Sequence, residues 1–315
     1  MRGSPRFSWP TWVIIVGAVL TLPGIVGAAL TVGLSGFHAP TLLSVGLKHP
    51  VILALLGLSI VGIAVFSIGL VAYVVVGSLS HQRAERGYGT LGTILACLGV
   101  AVIVANLLTL PYFLVQQAQH PTEAVTLTPG GLVYSIVALD LVLVAIVYFR
   151  IVRPHVLSWS QLGLTISKLG ERVGLGIGVG ILVILGSAAI EAALQAVGIH
   201  QTQEQMFEGV LNATIPQFIG VLLAGAVIAP IAEETFFRGY VFGAARRTYG
   251  LVPAFALSAL LFALAHLNAE AFIPILLIGV AFCYVYWKTQ SLVPSMIAHM
   301  MNNAVALITL YFLHR

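Results

Sequence analysis

Residues 51–79 read VILALLGLSIVGIAVFSIGLVAYVVVGSL, a run without a single charged side chain. About 20 consecutive apolar residues are enough for a helix to cross the hydrocarbon core of a bilayer. The run is apolar on every side, whereas the strands of a membrane barrel are about ten residues long and alternate apolar with polar. It therefore reads as a transmembrane helix. Working outward, comparable runs occur near 11–35, 90–116, 130–149, 173–198, 216–245, 251–267, 271–287 and 292–313. The expected fold class is all-α: a polytopic transmembrane helical bundle of about nine spans. Composition agrees. Only 8% of residues are charged, 59% are apolar and the mean hydropathy is +1.05. A soluble domain carries roughly 25% charged residues, so this chain has too few to cover a surface in water.

Basic residues near span ends favour the cytoplasm. With a cytoplasmic N-terminus and nine spans, the inner segments hold Arg2, Arg6, Arg83, Arg86, Arg150, Arg153, Lys168, Arg172, Arg246, Arg247 and Lys288. The outer segments hold only Lys48 and Arg315, and Arg238 falls within a span. The outer loops 117–129 and 199–215 carry Glu123, Glu204 and Glu208 and no basic residue. The net charge of +4 is thus an orientation signal towards anionic lipid rather than a nucleic-acid surface. Arg2 and Arg6 precede a first run too long for a signal peptide, which is read as an uncleaved span. Cys97 and Cys283 both sit inside spans and are read as small apolar residues, not as a disulfide. The expected location is the bacterial plasma membrane, multi-pass, with the lipid bilayer as a constant partner and no nucleic acid.

Two features organise the chain. The longest cytoplasmic connection, 150–172, carries Trp159, Leu162, Leu164, Ile166 and Leu169 and reads as a segment lying along the headgroups. Gly174, Gly176, Gly178 and Gly180 alternate at the start of the fifth span, a pattern that suits close helix packing. Residues 1–127 form an N-terminal extension of three spans in this reading, and 128–315 form the core, where most buried ionisable groups lie.

A charged side chain at the bilayer centre costs at least ~2.5–3.5 kcal/mol on insertion scales, so each one is a functional candidate. The sixth span contains Glu233, Glu234 and Arg238 within six residues. Glu234 and Arg238 are four apart, share a face and can pair. Glu233 points about 100° away from Glu234 and is the better general base, held towards a cavity by that pair. The seventh run contains His266, and the ninth carries His299 and Asn303, again four apart. One His in an apolar helix is usually a satisfied core residue; two of them with an Asn and an acidic cluster in neighbouring spans point to a site. Counted from the cytoplasmic ends, Glu233, His266 and His299 lie about 18, 22 and 11 Å deep, close to one layer. Two schemes fit these residues. In one, Glu233 takes a proton from water, with His266 sharing it, and His299 and Asn303 donate to the developing oxyanion. In the other, Glu233, His266 and His299 hold a zinc ion with water in the fourth position. No H-E-x-x-H helix is present, which excludes an ordinary zincin. Asp140 in the fourth span and Glu191 in the fifth are further buried ionisable groups without an assigned role.

In this order, Glu233-Glu234-x-x-x-Arg238, Phe262-x-x-x-His266 and His299-x-x-x-Asn303 resemble the motifs of the CPBP family, also called the Abi or CAAX prenyl endopeptidase family. The resemblance covers about 216–310, and Leu162-Gly163-Leu164 is similar to that family's approach to its core. It implies an all-helical intramembrane endopeptidase, glutamate- or metal-dependent, acting on a peptide or prenylated protein. It implies catalytic roles for Glu233, Glu234, Arg238, His266, His299 and Asn303, with zinc as the cofactor if one is used. The competing expectations are a non-catalytic scaffold or bacteriocin-immunity protein, and an ion-coupled transporter. The crowding of polar groups into one half of the chain counts against transport, which favours repeated halves.

Overall fold

The computed structural model describes residues 8–35, 50–79, 85, 88–119, 127–196, 198, 208–211, 213–268 and 271–313. Among the expected features, Arg2, Arg6, Lys48, Arg83, Arg86, Glu123, Glu204, Arg315 and the side chain of Glu208 lie outside the described residues. The described residues are all-α. Nine principal helices follow one another: α1 (Trp9–Ser35), α2 (Pro50–Ser78), α3 (Leu91–Gln119), α4 (Pro129–Val152), α5 (Leu169–Ala196), α6 (Ile215–Tyr249), α7 (Leu251–Ala265), α8 (Phe272–Thr289) and α9 (Val293–Leu313). A single turn, Glu208–Leu211, precedes α6. Seven of the nine, α2 to α6, α8 and α9, are long and apolar enough to cross a membrane. Trp9–Pro23 of α1, and α7, are shorter apolar helices. The chain is a multi-pass membrane protein, and the helices coincide with the nine apolar runs to within a few residues at each end.

The chain divides into two compact units, Met1–Leu79 and Ser80–Arg315. In the first, α1 and α2 pack through small residues. A Cβ at Gly62 would meet the Thr21 backbone at 2.5 Å, and one at Gly69 would meet that of Ile14 at 2.7 Å. The Ser59 hydroxyl donates to the Thr21 carbonyl across the interface at 2.8 Å.

In the second unit, α4 and α6 begin alike. Thr128 precedes Pro129, and its hydroxyl accepts from the Gly131 N–H at 3.2 Å. Thr214 precedes Ile215 and Pro216, with its N–H donating to Gln217 Oε1 at 2.9 Å. Such caps satisfy the unpaired first-turn donors. Just beyond them an apolar cluster of Leu132, Val210, Phe218, Val221, Leu307 and Tyr311 binds α4, α6 and α9 together. The Tyr311 and Phe218 rings stack at 4.0 Å, and the Tyr311 hydroxyl donates to the Ala213 carbonyl at 3.0 Å.

The glycine pattern on α5 resolves into two faces. At Gly176 a Cβ would stand 2.7 Å from the Cβ of Ile297, and at Gly180 2.9 Å from Met301 Sδ and 3.3 Å from the Cα of Ala298. Gly174 and Gly178 have nothing within 4 Å. The close packing anticipated from sequence therefore belongs to Gly176 and Gly180, which seat α9 against α5. Overpacking a helix contact costs about 1–3 kcal/mol. Gly180→Leu should accordingly lower the melting temperature of the purified protein, while Gly178→Leu should leave it unchanged or raise it. Equal melting of the two variants would refute this packing.

The segment between α4 and α5 does more than lie along an interface. Leu162 is fully buried. The Gly163 carbonyl accepts the Leu292 N–H at 3.0 Å, and the Leu162 carbonyl accepts the Tyr286 hydroxyl at 3.2 Å. Gly163 has φ +99°, and a Cβ there would press on the Tyr286 ring at 3.0 Å, so glycine is required. Of the five apolar residues named for this segment, Ile166 and Leu169, with Lys168 between them, are the exposed ones, as an interfacial segment requires.

Candidate active site

The site begins with a proline. Pro230 in α6 has no N–H to donate. Around it the helix widens to π winding over Ala224–Ile228, and the Ala229 N–H reaches back five residues to the Ala224 carbonyl. In α winding that N–H would have satisfied the Gly225 carbonyl, and in π winding the donor would have come from Pro230. Gly225 is thus left without a backbone partner. Asn303 of α9 takes its place, donating from Nδ2 to the Gly225 carbonyl at 2.9 Å. A second π segment, Thr235–Phe242, follows the acidic pair. Within it the Phe237 carbonyl accepts from the buried Ser258 hydroxyl of α7 at 2.8 Å. Single π turns recur at functional positions. Here two of them bracket Glu233 and Glu234.

Glu234 and Arg238 are both fully buried and form the pair their spacing suggested, with Arg238 Nη1 donating to Glu234 Oε1 at 2.8 Å. Arg238 Nη2 also donates to the Gly279 carbonyl of α8 at 3.2 Å. Its guanidinium lies 4.2 Å from the ring centroid of Phe262 and 5.2 Å from that of Phe282. A planar cation with weak hydration suits such stacking. His299 of α9 joins from the other side, with its Nδ1 3.1 Å from the same Glu234 oxygen. A carboxylate oxygen can only accept, so Nδ1 carries the hydrogen and Nε2 is left to face Glu233, 3.8 Å from its Oε2. The His299 ring is 3% exposed and wedged between Phe262 and Phe282, at 5.6 and 5.0 Å.

Glu233 differs from its neighbour in exposure and in its partners. Its side chain is 17% exposed and makes no ion pair with Arg238. Its Oε2, like that of Glu234, is buried with no hydrogen-bond partner among the described residues. His266 caps α7, with its Nδ1 2.8 Å from the Phe262 carbonyl. Its ring lies 4.7 Å from the Phe262 ring, so the two histidines share one aromatic neighbour without touching each other. Asn303 Nδ2 has a second hydrogen beyond the one given to Gly225, and Asn302 approaches Asn303 Oδ1 at 3.4 Å.

Of the six candidate residues, Arg238, His266 and His299 surround Phe262, Glu234 joins Arg238 to His299, Glu233 approaches His299, and Asn303 lies one turn further along α9. The metal scheme fares differently. Among the described residues no group of three or more His, Cys, Asp or Glu converges closely enough to hold a metal ion. His266 Nδ1 is held by a backbone carbonyl, which leaves only its Nε2 available to a ligand. The set Glu233, His266 and His299 does not fit zinc in this arrangement, and no step is derived through one. Three participants carried no signal in the sequence: Phe282 looks like any apolar residue, and Gly225 and Gly279 act through carbonyls that every residue possesses. Cys97 and Cys283 are buried and unbridged as expected. Glu191 lies exposed on α5, away from these residues.

The family model for Type II CAAX prenyl endopeptidase Rce1-like proteins matches residues 215–305. That span runs from the first residue of α6 to just past Asn303 and contains all six candidate site residues. No curated protein and no solved structure matches the chain.

Proposed function

We propose, on the match of residues 215–305 to the Rce1-like type II CAAX prenyl endopeptidase (CPBP) family, that the chain is an intramembrane endopeptidase that hydrolyses a peptide bond by water activated at Glu233. One observation carries the reading. Both glutamates bury an Oε2 without a hydrogen bond, but Glu234 is fully buried and committed through Oε1 to Arg238 and His299, whereas Glu233 is 17% exposed and its Oε2 lies 3.8 Å from the Nε2 of His299. A base must be open to water and substrate and not tied to a fixed cation.

The chemistry follows from those positions. Water bound between Glu233 and the substrate carbonyl gives a proton to Glu233 as its oxygen attacks the carbonyl carbon. The Asn303 amide hydrogen not held by Gly225 stabilises the oxyanion, and the His299 ring joins it when the proton that water gave to Glu233 is shared onto Nε2, 3.8 Å away. Charge on His299 is supported by Glu234 across Nδ1, as a carboxylate supports an imidazolium in a catalytic triad. Glu233, with His266 sharing the proton, then protonates the leaving amine. We place the working core at 128–315, the N-terminus in the cytoplasm, the protein in the bacterial plasma membrane, and a peptide or prenylated protein as its substrate.

The test uses purified full-length protein in liposomes, a farnesylated CAAX peptide and a library of membrane peptides, analysed by mass spectrometry. Cleavage at one bond is expected. Failure to cleave any of them, by protein shown to be folded, would refute the endopeptidase and favour a scaffold or immunity protein. A chelator arm is included: inhibition restored by zinc would reassign Glu233 as a ligand.

A further inference from the structure

Pro230 is buried in α6, three residues before Glu233 and four before Glu234. A proline inside a membrane helix frees a backbone carbonyl, and a neighbouring helix can satisfy it. Here the freed carbonyl is that of Gly225, and α9 supplies the donor from Asn303 Nδ2 at 2.9 Å. A carbonyl oxygen only accepts, so the nitrogen of the Asn303 amide, and not its oxygen, is turned to Gly225. At the other end of the amide, Asn302 Nδ2 donates to Asn303 Oδ1 at 3.4 Å. The lack of a side chain at Gly225 lets α9 come this near. A Cβ there would stand 3.2 Å from Cδ1 of Leu307, one turn beyond Asn303, and 3.9 Å from Cδ1 of Ile136 on α4.

Any other residue at 230 would bring an N–H. In π winding that N–H is aimed at the carbonyl five residues back, which is Gly225. In α winding the Gly225 carbonyl is claimed by the Ala229 N–H, which in this structure goes to Ala224 instead. Either way the carbonyl would have a donor within its own helix. Asn303 would then lose the partner that sets its orientation. An amide without that anchor can turn over, and it then offers an oxygen where an oxyanion needs a hydrogen.

We propose that Pro230 is a positioning residue of the reaction. By withholding a donor from the Gly225 carbonyl it makes Asn303 supply one, and this fixes the amide with its second N–H free for the oxyanion. The inference rests on the reading of Asn303 as an oxyanion donor given above. Pro230 touches neither substrate nor water; its effect passes through one carbonyl and one amide.

Four forms of the full-length protein test this as a cycle: wild type, Pro230→Ala, Asn303→Leu and the double variant. Melting temperature in detergent is one readout, and kcat and KM on a cleaved peptide are the other. In the Pro230 background, Asn303→Leu strands a carbonyl in the membrane layer and should lower the melting temperature by several degrees. In the Pro230→Ala background the same change should shift it little, because the helix now supplies the donor. Pro230→Ala alone should melt no lower than wild type, alanine being the better helix former. It should lower kcat by about 10–10²-fold with KM little changed, somewhat less than outright removal of an oxyanion donor. Adding Asn303→Leu to it should cost far less kcat than the same change costs the wild type. Asn303→Ala, carried through the same cycle, guards against an effect of leucine's shape. An equal cost of the Asn303 substitution in both backgrounds, in either readout, would overturn the proposal, since Pro230 would then act on the helix alone. Coupled melting in a protein that cleaves no peptide would refute the endopeptidase reading while leaving the fixing of the amide by the proline intact.

Discussion

Glu233→Gln is expected to lower kcat by about 10²–10⁴-fold, the range a positioned general base contributes. KM should change little, because the side chain keeps its shape. The melting temperature should hold or rise, since the change removes a buried oxygen that has no hydrogen bond and a charge from the membrane layer. This combination separates a working carboxylate from a structural one. Kinetics of the purified variant on a cleaved peptide, run beside a thermal melt, check it. Retention of wild-type kcat would eliminate Glu233 as the base.

Arg238→Ala should have the opposite signature, a fold effect before a kinetic one. Arg238 and Glu234 are both fully buried. Removing the guanidinium leaves the Glu234 carboxylate facing only His299. It also strips the Gly279 carbonyl of its donor and empties the space between Phe262 and Phe282. Breaking one side of a buried ion pair typically costs about 3–5 kcal/mol. The expected readout is a large fall in melting temperature and in the yield of monodisperse protein. The double variant Glu234→Leu with Arg238→Met should regain most of that stability, since well-packed apolar residues often replace a buried pair at little cost. It should remain inactive, because His299 loses the carboxylate that orients its Nδ1. A single variant as stable as wild type would show that the pair does not hold the site together.

The two π segments explain why part of the site was legible beforehand and part was not. Glu234 with Arg238, and His299 with Asn303, were readable because four-residue spacing aligns side chains on any helix close to α winding. The placing of Glu233 apart from Glu234 followed from the same geometry. The role of Asn303 was harder. Its bond to Gly225 exists because Pro230 removes a donor and the helix widens one turn earlier, and nothing in the letters of 224–228 announces that response. His266 carried the right residue type at a suitable depth. Its place beside the Phe262 ring depends on where the end of α7 comes to lie.

By itself the sequence determined an all-α chain that crosses the membrane many times, the extent of each helix to within a few residues, and the residue types that could do chemistry in the layer between them. Hydropathy and helical periodicity are local quantities, and both can be read along one segment. The tertiary structure alone decided which glutamate is tied to Arg238 and His299, and that Gly176 and Gly180 rather than Gly174 and Gly178 carry the α5–α9 contact. Those outcomes depend on the register between helices. Register is set by contacts between residues far apart in the chain, here Val133 against Gly220, Ile136 against Gly225 and Asn303 on a carbonyl released 78 residues earlier.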